Sequence, residues 1–565
     1  MPRATLDRYC VTCHNEKDQT ADLALDTMNV DRVGDDVGTW EKAVRKLRVR
    51  AMPPPTAGEP RPDEAGYDAL VSHLEAALDR AAARNPNPGR PRTFHRLNRN
   101  EYQNAIRDLL AVDVDAASLL PTDDASHGFD NVNVGELSPT LLDRYISTAR
   151  KVSRLAVGSS ARSPGEHTVV LPLDLTQNDH LEEGLPLGTR GGTVFPHTFP
   201  QDGEYRFQIR LTRDRDDRIE GITEPVHVEL ALDGERLQLF TLTPPAKGEG
   251  KPGAYATTDA DIDAALKGRF PVKAGPHMVA VAFLRKPSVI SEVARQPFLA
   301  DYNGRNMAAV FSVSVAGPFD AAGAGDTPSR RRIFACRPGA PADEAACART
   351  ILSALARRAY RRPPSRIESQ DLVGFYRQAR AEGSDFEGGI EMALRALLVS
   401  PNFLFRIERD PPGIPPKTPY RLGGFEIASR LSFFLWSSIP DDRLLDLAGR
   451  GVLTQPAVLR REVRRMLADP RSNALVTNFA GQWLHLRNLT AAAPDPRLFP
   501  DFDDNLRRAF RRETELFFDS VKNEDRSVLD LLRANYTFLN ERLAKHYGIP
   551  HVYGSHFRRV TLPPD

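Results

Sequence analysis

Cysteine is scarce, at four of 565 residues. That is far too few for a disulfide-stapled scaffold, so buried apolar cores must hold the chain together. No apolar run reaches the roughly 18 to 20 residues that a membrane-spanning helix needs. Net charge is nearly absent: 76 Lys and Arg balance 75 Asp and Glu, leaving +1. Without a global field to draw it to nucleic acid or anionic lipid, the chain must recognise partners locally. GxSxG, HExxH and a phosphate loop are also missing, which removes the readiest signs of a serine hydrolase, a zinc protease or a P-loop nucleotide-binding enzyme, and the helical stretch beyond residue 332 holds no GxGxxG. The length exceeds what one core supports, and about three to five domains are expected.

What the chain does have begins at residue 10. Cys10-Val11-Thr12-Cys13-His14 has the spacing of a c-type haem attachment sequence, in which each sulfur adds across one porphyrin vinyl group and the histidine offers an imidazole nitrogen to iron. A zinc site would need a second ligand pair at short spacing, and none follows. A low-spin electron carrier takes a sixth ligand from the opposite side of the haem. Met52, in Met52-Pro53-Pro54-Pro55, fits: its thioether is soft and consecutive prolines stiffen the backbone that presents it. The rival is His73, on a helix whose apolar stripe Tyr67, Leu70, Val71, Leu74 and Leu78 faces the Leu6/Tyr9 side of the first helix. Together these outline a class I cytochrome c. The other two cysteines, Cys336 and Cys347, either close a disulfide around a short loop or remain two buried thiols. Haem attachment and a disulfide both favour an oxidising compartment, periplasmic or secreted. No export signal precedes the haem helix in this sequence, so the reading expects a start that has been processed, cut or misassigned.

Taken in order, residues 1–84 form the haem module, followed by an Asn/Pro linker. Residues 93–158 form a small helical domain, in which Asn98 and Glu101 make a capping-box variant. Over 165–318 the period changes to two, as in Tyr205/Phe207/Ile209/Leu211 and Val226/Val228/Leu230/Leu232, with Asp233-Gly234 as a hairpin signal; this predicts a β-sandwich of carbohydrate-binding type. Asp214, Asp216 and Asp217 there offer oxygen ligands to calcium, but Ile219 and Pro225 stand where an EF-hand loop needs its glycine and glutamate. The alternative is a solvated loop. Residues 329–410 form a helical domain holding the Cys336/Cys347 pair, with one helix over 385–408. Residues 419–565 form an α-helical domain, with helices at 456–468, 471–487, 502–523 and 527–546 and the start of a further domain at the end. The fold class is thus multidomain α+β. His485, Glu513 and Glu515 are polar among apolar neighbours but form no recognisable catalytic set.

Beyond the haem motif, several blocks carry a resemblance: Trp40–Arg48, Phe94–Tyr102, Gly323–Arg331, Cys336–Pro338, Ala359–Pro363, Ser400–Leu404 and Arg430–Trp436. In content and order they resemble the planctomycete-type cytochrome c multidomain proteins, which combine a haem module with uncharacterised domains 1587, 1595, 1592 and the start of 1588. The resemblance implies one haem c in this chain, export, and truncation at the C-terminus before a domain with a second CxxCH. Three functions are carried forward. The first is an exported c-type cytochrome passing electrons to an unidentified redox partner. The second is a haem-dependent oxidoreductase acting on a polysaccharide or other extracytoplasmic substrate, and the third is a glycan-binding protein with accessory haem.

Overall fold

The computed structural model describes residues 2–55, 58, 60–84, 94–125, 128–130, 138–159, 164–178, 183–213, 217, 219, 221–222, 225–244, 262–285, 307–415 and 418–562. By their contacts they divide into two units, 1–92 with 409–421, and 93–408 with 422–565.

In the first unit, α1 (Pro2–Tyr9), α2 (Val37–Arg48) and α3 (Glu64–Arg84) enclose one core. The apolar spacings dictate which faces meet. Trp40, Val44 and Leu47 recur one turn apart on α2, and Tyr67, Leu70, Val71, Leu74 and Ala77 line one stripe of α3. They close over Leu6 of α1 and over Leu25, Val30 and Val33 of the intervening loop. The Arg3 guanidinium ties α1 to that loop by donating to the carbonyls of Leu25 (2.8 Å) and Met28 (3.0 Å).

The second unit opens with β1 (Phe94–Arg96), followed by α4 (Arg99–Leu110), whose start has the full capping box of Asn98 and Glu101. After α5 (Ala116–Leu119) comes α6 (Pro139–Val157), with Ser138 as N-cap and proline at its first position. Among the described residues eight strands follow: β2 (Gly165–Val170), β3 (Thr189–Phe199), β4 (Asp202–Leu211), β5 (Val226–Leu232), β6 (Glu235–Leu242), β7 (Lys267–Val272), β8 (Gly275–Leu284) and β9 (Val310–Gly323). They pair antiparallel in two four-stranded sheets, β2-β9-β4-β7 and β3-β8-β5-β6. Both sheets contribute to one core, from Tyr205, Phe207 and Val313 on one side to Phe199, Val228 and Phe283 on the other. Asp233 and Gly234 turn with φ of +52° and +81°, both in the left-handed region that a two-residue type I′ hairpin demands. Between the sheets, the buried Gln177 amide accepts from the Gly192 and Val310 amides and donates to the Val310 carbonyl. A Cβ on Gly192 would overlap the Val281 carbonyl, so only glycine serves there.

After the strands come α7 (Pro328–Ile333), α8 (Glu344–Ala359), α9 (Arg366–Ala381), α10 (Phe386–Val399), α11 (Pro401–Leu404), β10 (Phe405–Ile407) and α12 (Gly424–Trp436). Residues 97–157 and 333–439, which the sequence divides, share one apolar core. The strands are therefore an excursion from a single helical body. Their two ends are clamped: Arg330 donates to the Val157 carbonyl and forks onto Glu387 at 2.7 Å, while Gln201 donates to the Gly158 carbonyl at 2.8 Å.

Three helices expected from periodicity are broken. The one over 385–408 stops at Val399; Pro401 starts a new turn and Phe405–Ile407 pairs antiparallel with Phe94–Arg96, which apolar periodicity alone does not distinguish from helix. That over 471–487 widens to a π turn at Leu475–Ala480 and ends at His485, which adopts φ +56°. That over 527–546 yields to a strand, Tyr536–Leu539, paired with Arg558–Thr561. Its aromatic and β-branched residues pair with a segment whose approach the local sequence does not announce. Among the described residues, no helix is long and apolar enough to cross a membrane.

Cys336 and Cys347 form a disulfide with their Cα atoms 5.9 Å apart. The chain-entropy relation for a loop with this separation of 11 residues gives about 3 kcal/mol. Replacing both cysteines by alanine should lower the unfolding free energy of the second unit by that order, read from the urea midpoint. Two freely alkylated thiols at these positions in unreduced, exported protein would contradict the bond.

His197 on β3 stacks 5.3 Å from His167 of β2 and sits directly opposite His277 of β8, whose Nδ1 lies 2.5 Å from Asp233. Burial, with help from the two neighbouring histidines, pushes the His197 imidazole down from 6.5 to about 4. The unfolded state therefore binds more protons between these values, and stability rises with pH across that window. Acidifying from about 6.5 to about 4 should cost on the order of 3 kcal/mol through this group alone. His197→Phe should flatten that limb of the pH–stability curve relative to the parent, and an unchanged limb would refute the assignment.

Candidate haem site

The CxxCH segment continues the path of α1. The amides of Cys10 and Val11 both bond to the Leu6 carbonyl (2.8 and 3.0 Å), and those of Cys13 and His14 to the Cys10 carbonyl (3.2 and 3.0 Å). This turn brings Cys10, Cys13 and His14 together. Cys10 packs against the core and burial pushes its thiol up to about 11, with the Cys13 thiol adding to the rise. Cys13 is exposed. The loop that follows is held by its own hydrogen bonds: the Asn15 amide donates to the Val11 and Thr12 carbonyls, and the Leu25 amide bonds back to the His14 carbonyl at 2.8 Å.

The His14 ring supplies the test of fit. Its Nδ1 lies 2.8 Å from the Thr20 carbonyl oxygen, which can only accept. The proton therefore sits on Nδ1, and Nε2 keeps its lone pair for a metal. A backbone carbonyl fixing the tautomer and the ring plane is the outer-shell arrangement that a ligating histidine requires. Among the described residues, no three His, Cys, Asp or Glu side chains gather as an ion site; a haem iron asks the protein for only one or two ligands, so the CxxCH reading does not depend on such a cluster.

Met52 lies in the same unit, and the backbone around it is anchored on both sides. The Tyr67 hydroxyl of α3 donates to the Met52 carbonyl at 3.1 Å, and Arg61 donates to the Arg50 carbonyl at 2.6 Å and to the Tyr67 hydroxyl at 3.2 Å. Arg50 in turn pairs with Glu64 and Asp68, both at 2.7 Å, and lies over the Tyr67 ring at 4.6 Å. His73 faces Asp31 at 3.8 Å, with its Nε2 buried and lacking a hydrogen-bond partner.

Asp214 and Asp216 lie outside the described residues, and the Asp217 carboxylate stands 3.4 Å from Arg213. Glu513 accepts from Thr537 (2.5 Å) and Tyr547 (2.9 Å), and Glu515 pairs with Arg511 at 2.9 Å. Both glutamates are thus engaged within the fold.

Sequence reasoning missed a second polar centre, in the second unit. His95 and Arg406 are direct partners across β1 and β10, and each approaches the buried Glu101 carboxylate at 3.8 Å. Burial alone would raise the Glu101 carboxyl, but His95, the Arg406 charge and the Asn98 amide outweigh it and hold it below the usual range. Beside them Arg361 is fully buried. Burial and the Arg406 charge push its guanidinium down from 12.5 to about 9.

In class, then, this is a multidomain chain of helices and antiparallel sheets with an N-terminal helical unit bearing CxxCH. Three family models match it: PSD3, described as a protein of unknown function (DUF1587), over residues 95–158; PSD5, likewise of unknown function (DUF1595), over 347–408; and PSD4, also of unknown function (DUF1592), over 422–549. These matches support the multidomain family that the sequence blocks resemble. No curated protein and no solved structure matches the chain. His95 and Glu101 fall in the first matched stretch, and Arg361 and Arg406 in the second. His95, Glu101 and Arg361 thus lay within the sequence blocks that carry the resemblance, as disconnected strings, while Arg406 lies two residues past one of them.

The two free thiols should differ in reactivity in protein made without haem. At pH 8 a thiol with a pKa of about 11 is thiolate in roughly one molecule in a thousand. Brief maleimide treatment should therefore label Cys13 well before Cys10. Equal labelling in a peptide map would show that the burial of Cys10 is wrong.

Proposed function

We propose that this chain is an exported c-type cytochrome that carries electrons through one haem c, which Cys10 and Cys13 would hold covalently and His14 and Met52 would hold through its iron. The observation that carries the reading is the bond from His14 Nδ1–H to the Thr20 carbonyl, because it leaves Nε2 available and fixes the ring. The CxxCH spacing and the anchored backbone of Met52 add support. When bound, the haem supplies a one-electron redox couple. The chain's own part is to fix the imidazole, to present a neutral thioether from a proline-stiffened loop, and to pack Cys10 against an apolar core that lowers the dielectric around the centre. Periplasmic or secreted localisation follows from this reading, since both haem attachment and the Cys336–Cys347 disulfide belong to an oxidising compartment.

The experiment is to produce the chain behind an export signal with a haem c maturation system. The haem mass should survive denaturation and acid–acetone extraction. The ferric spectrum should show the weak red-edge band of methionine ligation, and Met52→Ala should abolish it and let the reduced protein bind carbon monoxide. Extractable haem would overturn covalent attachment. A parent protein that lacks the band and already binds carbon monoxide would have an open iron, and the haem-dependent oxidoreductase would replace the electron carrier.

A further inference from the structure

The polar centre of the second unit adjoins a cavity. It is lined by Tyr360, Arg361 and Arg362 from the turn after α8, by Asn402 and Phe405–Glu408, and by Phe425, Glu426 and Ser429 of α12. Its volume of about 60 Å³ holds about four to six waters. A sugar ring does not fit, but a single small ion does.

Two of the charges around it lack a close ion-pair partner. Arg362 is neutralised by a fork onto Glu368 (2.7 and 3.0 Å), and Glu408 by a fork from Arg430 (2.8 and 2.5 Å). Glu426 also lines the cavity and, like Arg406, is partly exposed to solvent. Deeper in, Arg361 and Arg406 stand near one buried carboxylate, Glu101, which Arg406 approaches no closer than 3.8 Å. Arg361 spends its terminal N–H groups on four carbonyls, those of Ala359, Asn402, Phe403 and Phe405, which are neutral, so its charge feels Glu101 only from a distance and has no close ion-pair partner among the described residues. Arg406 has the opposite deficiency. Its Nε is buried without a hydrogen-bond partner, while its guanidinium lies over the Phe433 ring at 4.9 Å. An unpaired buried donor beside a buried guanidinium without a close ion-pair partner suits an anion, which would satisfy both.

We propose that this cavity binds one small oxyanion, a carboxylate or a phosphate-type ion, with Arg406 donating to it and Arg361 supplying positive charge that has no close ion-pair partner. Tyr360 and Ser429, both of which carry hydroxyls, also line the cavity. Such a site lies wholly in the second unit and is independent of haem. It draws on all three matched stretches, with Glu101 from the first, Arg361 and Arg406 from the second and Ser429 from the third.

The test is thermal unfolding of the full chain, titrated at constant ionic strength with sodium phosphate, sodium sulfate or sodium acetate against sodium chloride. An ion that binds only the folded state raises the midpoint saturably. At least one oxyanion should do so where chloride does not, and the preference between acetate and phosphate identifies the source chemistry. Arg406→Met should weaken the apparent affinity by about tenfold or more, the worth of one charge-assisted bond. Ser429→Asp keeps every Arg361 and Arg406 contact and places a negative charge on the wall, and it should abolish the effect even if Arg406→Met fails to fold. The proposal is overturned if all four salts act alike, or if the Ser429→Asp protein responds as the parent does.

Discussion

The second unit depends on one buried guanidinium. Arg361 stands at the end of α8 with φ +59°, fully enclosed, and its hydrogen bonds run to the backbone of residues 402 to 405. Those bonds aim β10 at β1, and the β1–β10 pair then sets His95 beside Arg406 and Glu101. Enclosing a guanidinium is costly unless each N–H finds an acceptor. Here the acceptors are carbonyls at a helix end and a strand start, which would otherwise be unpaired themselves. The same contacts thus satisfy the charge's hydrogen bonds and terminate the secondary structure. Lysine, with a single nitrogen, could not span that set.

How much of this was legible depends on the range of the interactions. The Tyr67–Leu74 stripe, the alternation through Tyr205–Leu211, the Asp233-Gly234 turn and the Asn98/Glu101 capping box are local patterns, and each has its structural counterpart. The strand at Tyr536–Leu539 was not legible, because its partner Arg558–Thr561 lies about twenty residues away and four residues carry too little periodicity. Nor was the shared core of residues 97–157 and 333–439, since nothing in either stretch says that the other supplies its missing face. For the proposed haem ligands, sequence named the residue types. Only the structure supplied the tautomer of His14, through a carbonyl six residues on, and the role of Tyr67 in holding the Met52 backbone. The Arg361–Arg406–Glu101 centre was invisible for a plainer reason: each member alone reads as an ordinary charged residue.

The strand excursion has a consequence for the order of assembly. Its first and last strands lie side by side, with Gly165 opposite Gly317, so once the two sheets form their ends emerge together. A folded excursion then links α6 to α7 as a short connector would, and the closure entropy of the long loop has been met within the sheets. During synthesis, however, α4 and α6 emerge well before α8 and α10. Tyr102, Ile106, Leu109 and Tyr145, all fully buried in the finished protein, must wait exposed while the whole excursion is translated. The nascent chain therefore passes through a period in which one half of a core has no other half, which makes it a natural client for a holding chaperone.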